Sequence, residues 1–342
     1  MPILPTRIQN PLWEKRIRAQ LWEEPYAASD NPPDEQQPFW SFDRFGQSVT
    51  ELPDGRTLYI AGEHEDFYMP DFCIYNDIVV VHPDRSLEIY GYPEGTFPPT
   101  DFHSATLAGD QLILIGNTGY PEQRREGQTP VYCLDTQTLA LRLLPTHGES
   151  PGWISRHHAT LEEGKTIRIT RGQCYRAAQN TFLANLDDWQ LDIQAGRWER
   201  LTRHPWPRWR VQRTDQECNH LRQIRTAFRA SRRPGRKAKL TEFLQELQAS
   251  LGTVAGLALI NQLYTPPVSH EALPHLVEED TWRRIYRIEI AGVVVHYDET
   301  RGAIKVTVKG ELPEAILTIL QNDLCEKLSL LENTECQVVI DG

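Results

Sequence analysis

Hydrophobic and polar residues alternate in short runs along the first 200 or so residues, and the runs recur in blocks. The block Phe102-His103-Ser104-Ala105-Thr106-Leu107 is followed by the apolar run Leu112-Ile113-Leu114-Ile115-Gly116. It returns as Arg156-His157-His158-Ala159-Thr160-Leu161, followed by Thr166-Ile167-Arg168-Ile169. A fainter copy is Phe45-Gly46-Gln47-Ser48-Val49-Thr50, followed by Leu58-Tyr59-Ile60-Ala61-Gly62. Matching Ser48, Ser104 and His158 gives spacings of 56 and 54 residues. Such spacing marks a repeat array, in which one unit cannot bury its own apolar face. Each block predicts four short strands bounded by turn residues. In the middle block they run from Ser104 to Leu107, Leu112 to Ile115, Pro130 to Asp135 and Leu139 to Leu144. The first block continues through 76–83 and 87–90, and the third through 189–192 and 197–201.

Beyond residue 203 the period changes. Cys218, Leu221, Ile224 and Phe228 fall at helical spacing, so residues 209–232 are read as an amphipathic helix. Arg222, Arg225, Arg229 and Arg232 follow one position around it as a basic seam, and Pro234-Gly235 ends it. A second helix is expected from Thr241 to about Leu251, and the apolar stretch Val254 to Leu263 extends it or begins another. Tyr286 to Tyr297 reads as a strand, residues 298–302 as a turn, and Ala303 to Val308 as the returning partner. Pro313 opens a helix lined by Leu317, Leu320, Leu324, Leu328 and Leu331 and closed by Asn333, and 337–340 is a last strand. At the other end, Asn10-Pro11 starts a helix carrying Trp13, Ile17 and Leu21.

The first half resembles the kelch-repeat family of β-propellers. The resemblance rests on the His103-Ser104-Ala105-Thr106 start, the strand ending at Gly116, the Tyr132-Cys133-Leu134-Asp135 strand with its turn, and the terminal Trp198. It covers residues 41–203. The glycine pair usual after the second kelch strand is reduced to Ala61-Gly62, Gly116-Asn117 and Arg171-Gly172. The resemblance implies a partial, three-blade kelch-like propeller, so the chain is expected to be mainly β, with the helical segment and small α+β domain read from the periodicity above following it. The expected divisions are an N-terminal helix and loop (1–40), three blades (41–203), a basic linker and helix (204–240) and an α+β part (241–342). Closed propellers have about four to eight blades. Three leave two sheet faces and several edges to cover, so a second copy closing the ring as a homodimer is the expectation.

Charge sharpens this picture. Residues 1–203 carry 18 basic and 29 acidic groups, and residues 204–342 carry 18 of each. The basic groups of the second part concentrate in 203–240, where twelve Lys and Arg face only Asp215 and Glu217. No apolar run approaches the roughly 18 residues of a membrane span. The start lacks a signal-peptide core. The six cysteines are widely spaced with no CxxC, which reads as free thiols in a reducing, cytoplasmic setting.

Candidate chemistry is sparse. No GxSxG, HExxH, P-loop or dinucleotide fingerprint is present. His103, His157 and His158 start equivalent strands and could converge on a metal, but histidine at this position belongs to the kelch pattern. The acidic stretch Glu63-His64-Glu65-Asp66 reads as a solvated loop rather than an acid–base pair. No catalytic residue, metal or cofactor is expected. Loops carry recognition in such folds, and their aromatics anchor interfaces. Phe67, Tyr68, Phe72, Tyr120, Arg124 and Tyr175 are therefore the candidate binding residues. Arg222, Arg225 and Arg229 are candidates for nucleic-acid phosphates, or for docking on the acidic blades. The leading expectation is a non-enzymatic, protein-binding scaffold whose acidic surface engages a basic partner, one version being a bacterial immunity or inhibitor protein. The alternatives are an enzyme for a small polar substrate at the propeller axis, and a nucleic-acid-associated protein.

Overall fold

The computed structural model describes residues 2–25, 40–64, 72–221, 223–225, 245, 249, 257–268, 273–279 and 283–341. The chain divides into two units, Met1–Arg203 and His204–Gly342. Among the described residues it is mainly β, with several separate sheets.

In the first unit each sequence block becomes one antiparallel four-stranded meander. Sheet I holds Ser48–Glu51, Thr57–Ile60, Asp77–Val81 and Leu87–Gly91. Sheet II holds Ser104–Ala108, Gln111–Ile115, Val131–Asp135 and Leu141–Leu143. Sheet III holds His158–Glu162, Thr166–Thr170, Trp189–Asp192 and Arg197–Arg200. Side chains on a strand point alternately to its two faces, so the second strand of each block shows what lies on either side. In sheet II this strand is Gln-Leu-Ile-Leu-Ile, with its last four residues buried. Leu112 and Leu114 pack against Leu58, Ile60, Ile78 and Val80 of sheet I. Ile113 and Ile115 pack against Ile167, Ile169, Trp189 and Leu191 of sheet III. A continuous apolar run is what a strand covered on both faces requires.

The outer sheets differ, and the difference bears on closure. The far face of sheet I, with Val79, Leu87 and Ile89, is covered by helix α1 (Pro11–Trp22) and by Trp40 and Phe42. Asn10 caps α1, its Oδ1 accepting the Leu12 and Trp13 N–H groups at 3.0 and 3.3 Å. In sheet III the second strand reads Thr-Ile-Arg-Ile-Thr, and its far face carries Thr166, Arg168, Thr170, Gln190 and Asp192. Arg168 there bonds Asp188 at 2.6 Å. One end of the stack is thus capped from within the chain and the other is polar, as terminal units of repeat arrays are.

The outer edges are also occupied. Thr6–Ile8 adds to Leu87–Gly91, Ile3 and Leu141 exchange backbone hydrogen bonds of 2.9 and 3.0 Å, and His147–Gly148 adds to Arg197–Arg200. The outermost strands of the three sheets thus have backbone partners within the chain.

The second unit is a six-stranded antiparallel sheet. In spatial order its strands are His275–Glu279, Arg284–Ile290, Val293–Glu299, Ile304–Lys309, Arg208–Arg213 and Cys336–Ile340. Helices α2 (Leu257–Gln262) and α3 (Glu314–Glu332) contribute Ile260, Leu317, Leu320, Leu324, Leu328 and Leu331 to its core. The α+β expectation holds, with three corrections. Residues 208–213 form a strand, not the start of a helix. Arg-Trp-Arg-Val-Gln-Arg alternates with period two and buries Trp209 and Val211. Helix is present only from Leu221. Tyr286 to Tyr297 is two strands rather than one, because Ala291 and Gly292 take left-handed φ of 50° and 79° and turn the chain. Pro313 precedes α3 as its cap instead of being its first residue. Most of the expected 241–251 helix lies outside the described residues; Gln245 and Ala249, the two positions described there, are helical.

Candidate functional site

Each repeat enters its inner strand through a residue with left-handed backbone. These are Gly46, Phe102 and Arg156, with φ of 63°, 49° and 56°. The three turns are bonded in series: Phe102 N–H donates to Gly46 O at 2.9 Å, and Arg156 N–H to Phe102 O at 2.8 Å. A Cβ on Gly46 would lie 2.5 Å from the Phe102 backbone nitrogen, so this position admits only glycine. The next residues make a second repeated link. His103 Nε2 and Ser48 Oγ share a hydrogen bond of 2.8 Å, and so do His157 Nε2 and Ser104 Oγ. Burial pushes the His103 pKa down to about 4 and that of His157 down to about 3, so both rings are neutral near pH 7. These histidines tie neighbouring sheets together. Among the described residues no group of three or more His, Cys, Asp or Glu could hold a metal ion.

Two carboxyl groups 38 positions apart meet beside these turns. Asp101, immediately before Phe102, is fully buried. Its Oδ1 accepts the Gly119 N–H at 2.7 Å, and its backbone N–H donates to Asn117 Oδ1 at 2.9 Å. No N–H or O–H of the described residues reaches Oδ2. The Glu63 carboxyl lies within hydrogen-bonding reach of Asp101. Burial raises the Asp101 pKa, against the opposing effects of the Gly119 N–H, Glu63, Arg156 and Arg124. Two carboxyls in contact cannot both ionise cheaply.

Arg156 completes this cluster. Its guanidinium carbon sits 3.2 Å from the centre of the Phe102 ring, and the residue is exposed. Desolvation by the surrounding protein atoms lowers its pKa, against the pull of Glu63 and Asp101. Among the described residues no hydrogen bond or ion pair takes its donors. Phe45, next to Gly46 and backbone-paired with Glu63, is 63 % exposed.

The expected loop residues converge at the same end of the array. Tyr120 Oη accepts the Ile74 N–H at 2.9 Å, and its ring meets Phe72 edge-on at 5.8 Å. Burial pushes its pKa up to about 12. Arg124 donates to Thr118 O and Gly119 O at 3.1 and 2.9 Å, and lies 4.9 and 5.6 Å from the ring centres of Phe182 and Tyr175. Tyr175 Oη donates to Asn180 Oδ1 at 3.0 Å. Phe72, Tyr120, Arg124 and Tyr175 thus join loops of all three repeats, largely by packing on one another. Phe67 and Tyr68 lie outside the described residues.

The arginine candidates of the second unit fare differently. Arg225 turns inward, its Nε donating to Glu299 Oε2 at 2.9 Å. Glu299 also accepts from Tyr264 at 2.7 Å and Arg284 at 3.3 Å. Arg222 and Arg229 lie outside the described residues. Sequence reasoning missed Asp101, Phe102 and Arg156 and set Glu63 aside. A signal was present: Thr50, Thr106 and Thr160 align four positions after the turn, while the turn itself changes from Gly to Phe to Arg.

A cleft of about 570 Å³ opens elsewhere in the first unit, lined by Tyr132, Trp153, Trp198, Arg125 and His147 among others. Its lining includes no Asp or Glu, so it does not coincide with the carboxyl pair.

No family model and no curated protein matches the chain. Among solved structures, an endo-arabinase from Bacteroides thetaiotaomicron VPI-5482 is 8 % identical with a TM-score of 0.28, covering 83 % of this chain and 80 % of that one. The extracellular domain of a one component system from B. thetaiotaomicron is 12 % identical with a TM-score of 0.24, covering 78 % of this chain and 29 % of that one. Similarity at this level carries no functional argument.

Proposed function

We propose that the first unit is a three-blade, kelch-like propeller segment and works as a non-enzymatic scaffold for a partner protein. One observation carries this reading: Phe72, Tyr120, Arg124 and Tyr175, drawn from all three repeats, converge at one end of the stack. That end offers an exposed aromatic, Phe45, and a pre-positioned arginine, Arg156. Aromatic and arginine anchors dominate protein interfaces. The excess of 29 acidic over 18 basic groups in residues 1–203 favours a basic partner, and an immunity or inhibitor protein directed at a basic toxin is one such case. Affinity capture of the full chain from lysate, with mass spectrometry, should return a protein partner. Its binding should weaken about tenfold in Phe45→Ser and fall with added salt. Capture of nothing, or binding indifferent to Phe45, overturns the reading.

The enzyme reading is favoured by one feature, the close Glu63–Asp101 carboxyl pair. Asp101 is fully buried, and the 570 Å³ cleft is not lined by either carboxyl. The nucleic-acid reading loses support where it can be seen. Arg225 is held by Glu299, Arg210 by Asp341, and Arg213 by Asp215 and Glu332.

A further inference from the structure

We infer that Arg156, held flat on the Phe102 ring beside the Glu63–Asp101 pair, is a receptor for a single carboxylate. This goes beyond the scaffold reading and does not depend on it. Three independent features converge. The first is geometric. A guanidinium stacked on an aromatic face keeps its planar donor edge free and pre-oriented for two parallel hydrogen bonds to an oxoanion. Arg156 is so placed, 3.2 Å from the ring centre, and among the described residues no partner takes its donors.

The second is backbone strain. Gly46, Phe102 and Arg156 occupy one repeated position, all with left-handed φ. Glycine adopts this conformation freely, whereas in other residues it is strained. The first repeat uses glycine. The second and third place there the platform and the cation that stacks on it. Residues retained against strain cluster at binding sites.

The third is charge. Glu63 and Asp101 would repel an anion if both were ionised. Burial favours the protonated form of Asp101, which lowers that repulsion, and the positive charges of Arg156 and Arg124 stand against what remains. The balance admits a singly charged carboxylate and disfavours a doubly charged phosphate. The carboxylate can belong to a free acid or to a partner's acidic side chain or chain end, and the chemistry at Arg156 is the same.

The test uses the full chain and two probes, sodium propionate and inorganic phosphate, at constant ionic strength. Arginine Nε–H resonances are followed by NMR, with Arg156 assigned from its loss in Arg156→Lys. Propionate should shift the Arg156 signal saturably and bind at least tenfold more tightly than phosphate. In Arg156→Lys, which keeps the charge and loses the fork, binding is followed through the backbone amide of Phe102 and should weaken at least tenfold. It should weaken severalfold in Phe102→Leu, with the unfolding midpoint of each variant recorded to confirm folding. No saturable shift, equal binding of phosphate, or an unaffected Arg156→Lys variant overturns the inference. A C-terminal peptide ending in a free carboxylate, against its amide, separates the sources. Tighter binding of the peptide acid than of propionate assigns the site to a partner's chain end, and equal binding assigns it to small acids. The scaffold reading can fail in capture while this site still binds propionate, so the two outcomes are separable.

Discussion

At the residue scale, the loop end is built from positions whose backbone or protonation state is unusual. Gly116 has φ of 82°, and a Cβ there would fall 2.3 Å from Ile154 O. Gly116→Ala should therefore cost more than about 1 kcal/mol, read as a lowered denaturation midpoint, because a left-handed φ and a backbone clash add. Asp101 gives a pH prediction. Burial raises its pKa above the unfolded value, so the folded state keeps a proton that the unfolded chain releases. The stabilisation is complete below the unfolded carboxylate range, about pH 3.9, and is lost as pH rises through the folded pKa. Asp101→Asn keeps the acceptor for Gly119 and supplies an N–H toward Glu63. Its stability relative to the natural protein should therefore improve as pH is raised from acid toward neutral, measured by urea denaturation at several pH values. A constant difference would mean that folding does not raise the Asp101 pKa. His103 and His157 act in the opposite sense, since their lowered pKa values withdraw stability as pH falls from about 6.5, the free-histidine value. Comparing the variant with the natural protein at each pH isolates Asp101.

At the element scale, strand patterns report their surroundings. Gln-Leu-Ile-Leu-Ile is covered on both sides, and Thr-Ile-Arg-Ile-Thr on one. Thr-Leu-Tyr-Ile also alternates, yet its second face is covered, because α1 lies over sheet I. Ile17 is fully buried in that layer. Ile17→Ala should cost about 2–5 kcal/mol and raise binding of a dye that reports exposed apolar surface. A cost below about 1 kcal/mol would mean that α1 is not the cap. The strand at Arg208–Arg213 shows how an element can be misread. The helical stripe lies further on, at Leu221 and Ile224, whereas the residues at the start of the expected helix alternate with period two. Periodicity identifies the type of an element better than its limits, since a short run satisfies both periods.

At the scale of the whole molecule, each unit draws together charged groups far apart in the chain. In the second unit, Glu299 on the sheet accepts from Arg225, Tyr264 and Arg284. Removing one member of a buried ion pair leaves the others uncompensated. Glu299→Gln should cost about 3–5 kcal/mol, seen as a lowered thermal midpoint, while a cost below about 1 kcal/mol would mean that water compensates the arginines. By itself the sequence determined the count of three repeats, their four strands, the inward helix leucines and the N-cap at Asn10. Those features are written in local spacing and turn chemistry, which act over a few residues. Only the tertiary structure decided that α1 covers one end of the stack, that Glu63 meets Asp101, that Arg156 lies on Phe102, and that Arg225 turns inward. Each of these depends on groups brought together from distant positions, and a charge or a face is neutralised or buried by its neighbours in space rather than by its neighbours in the chain.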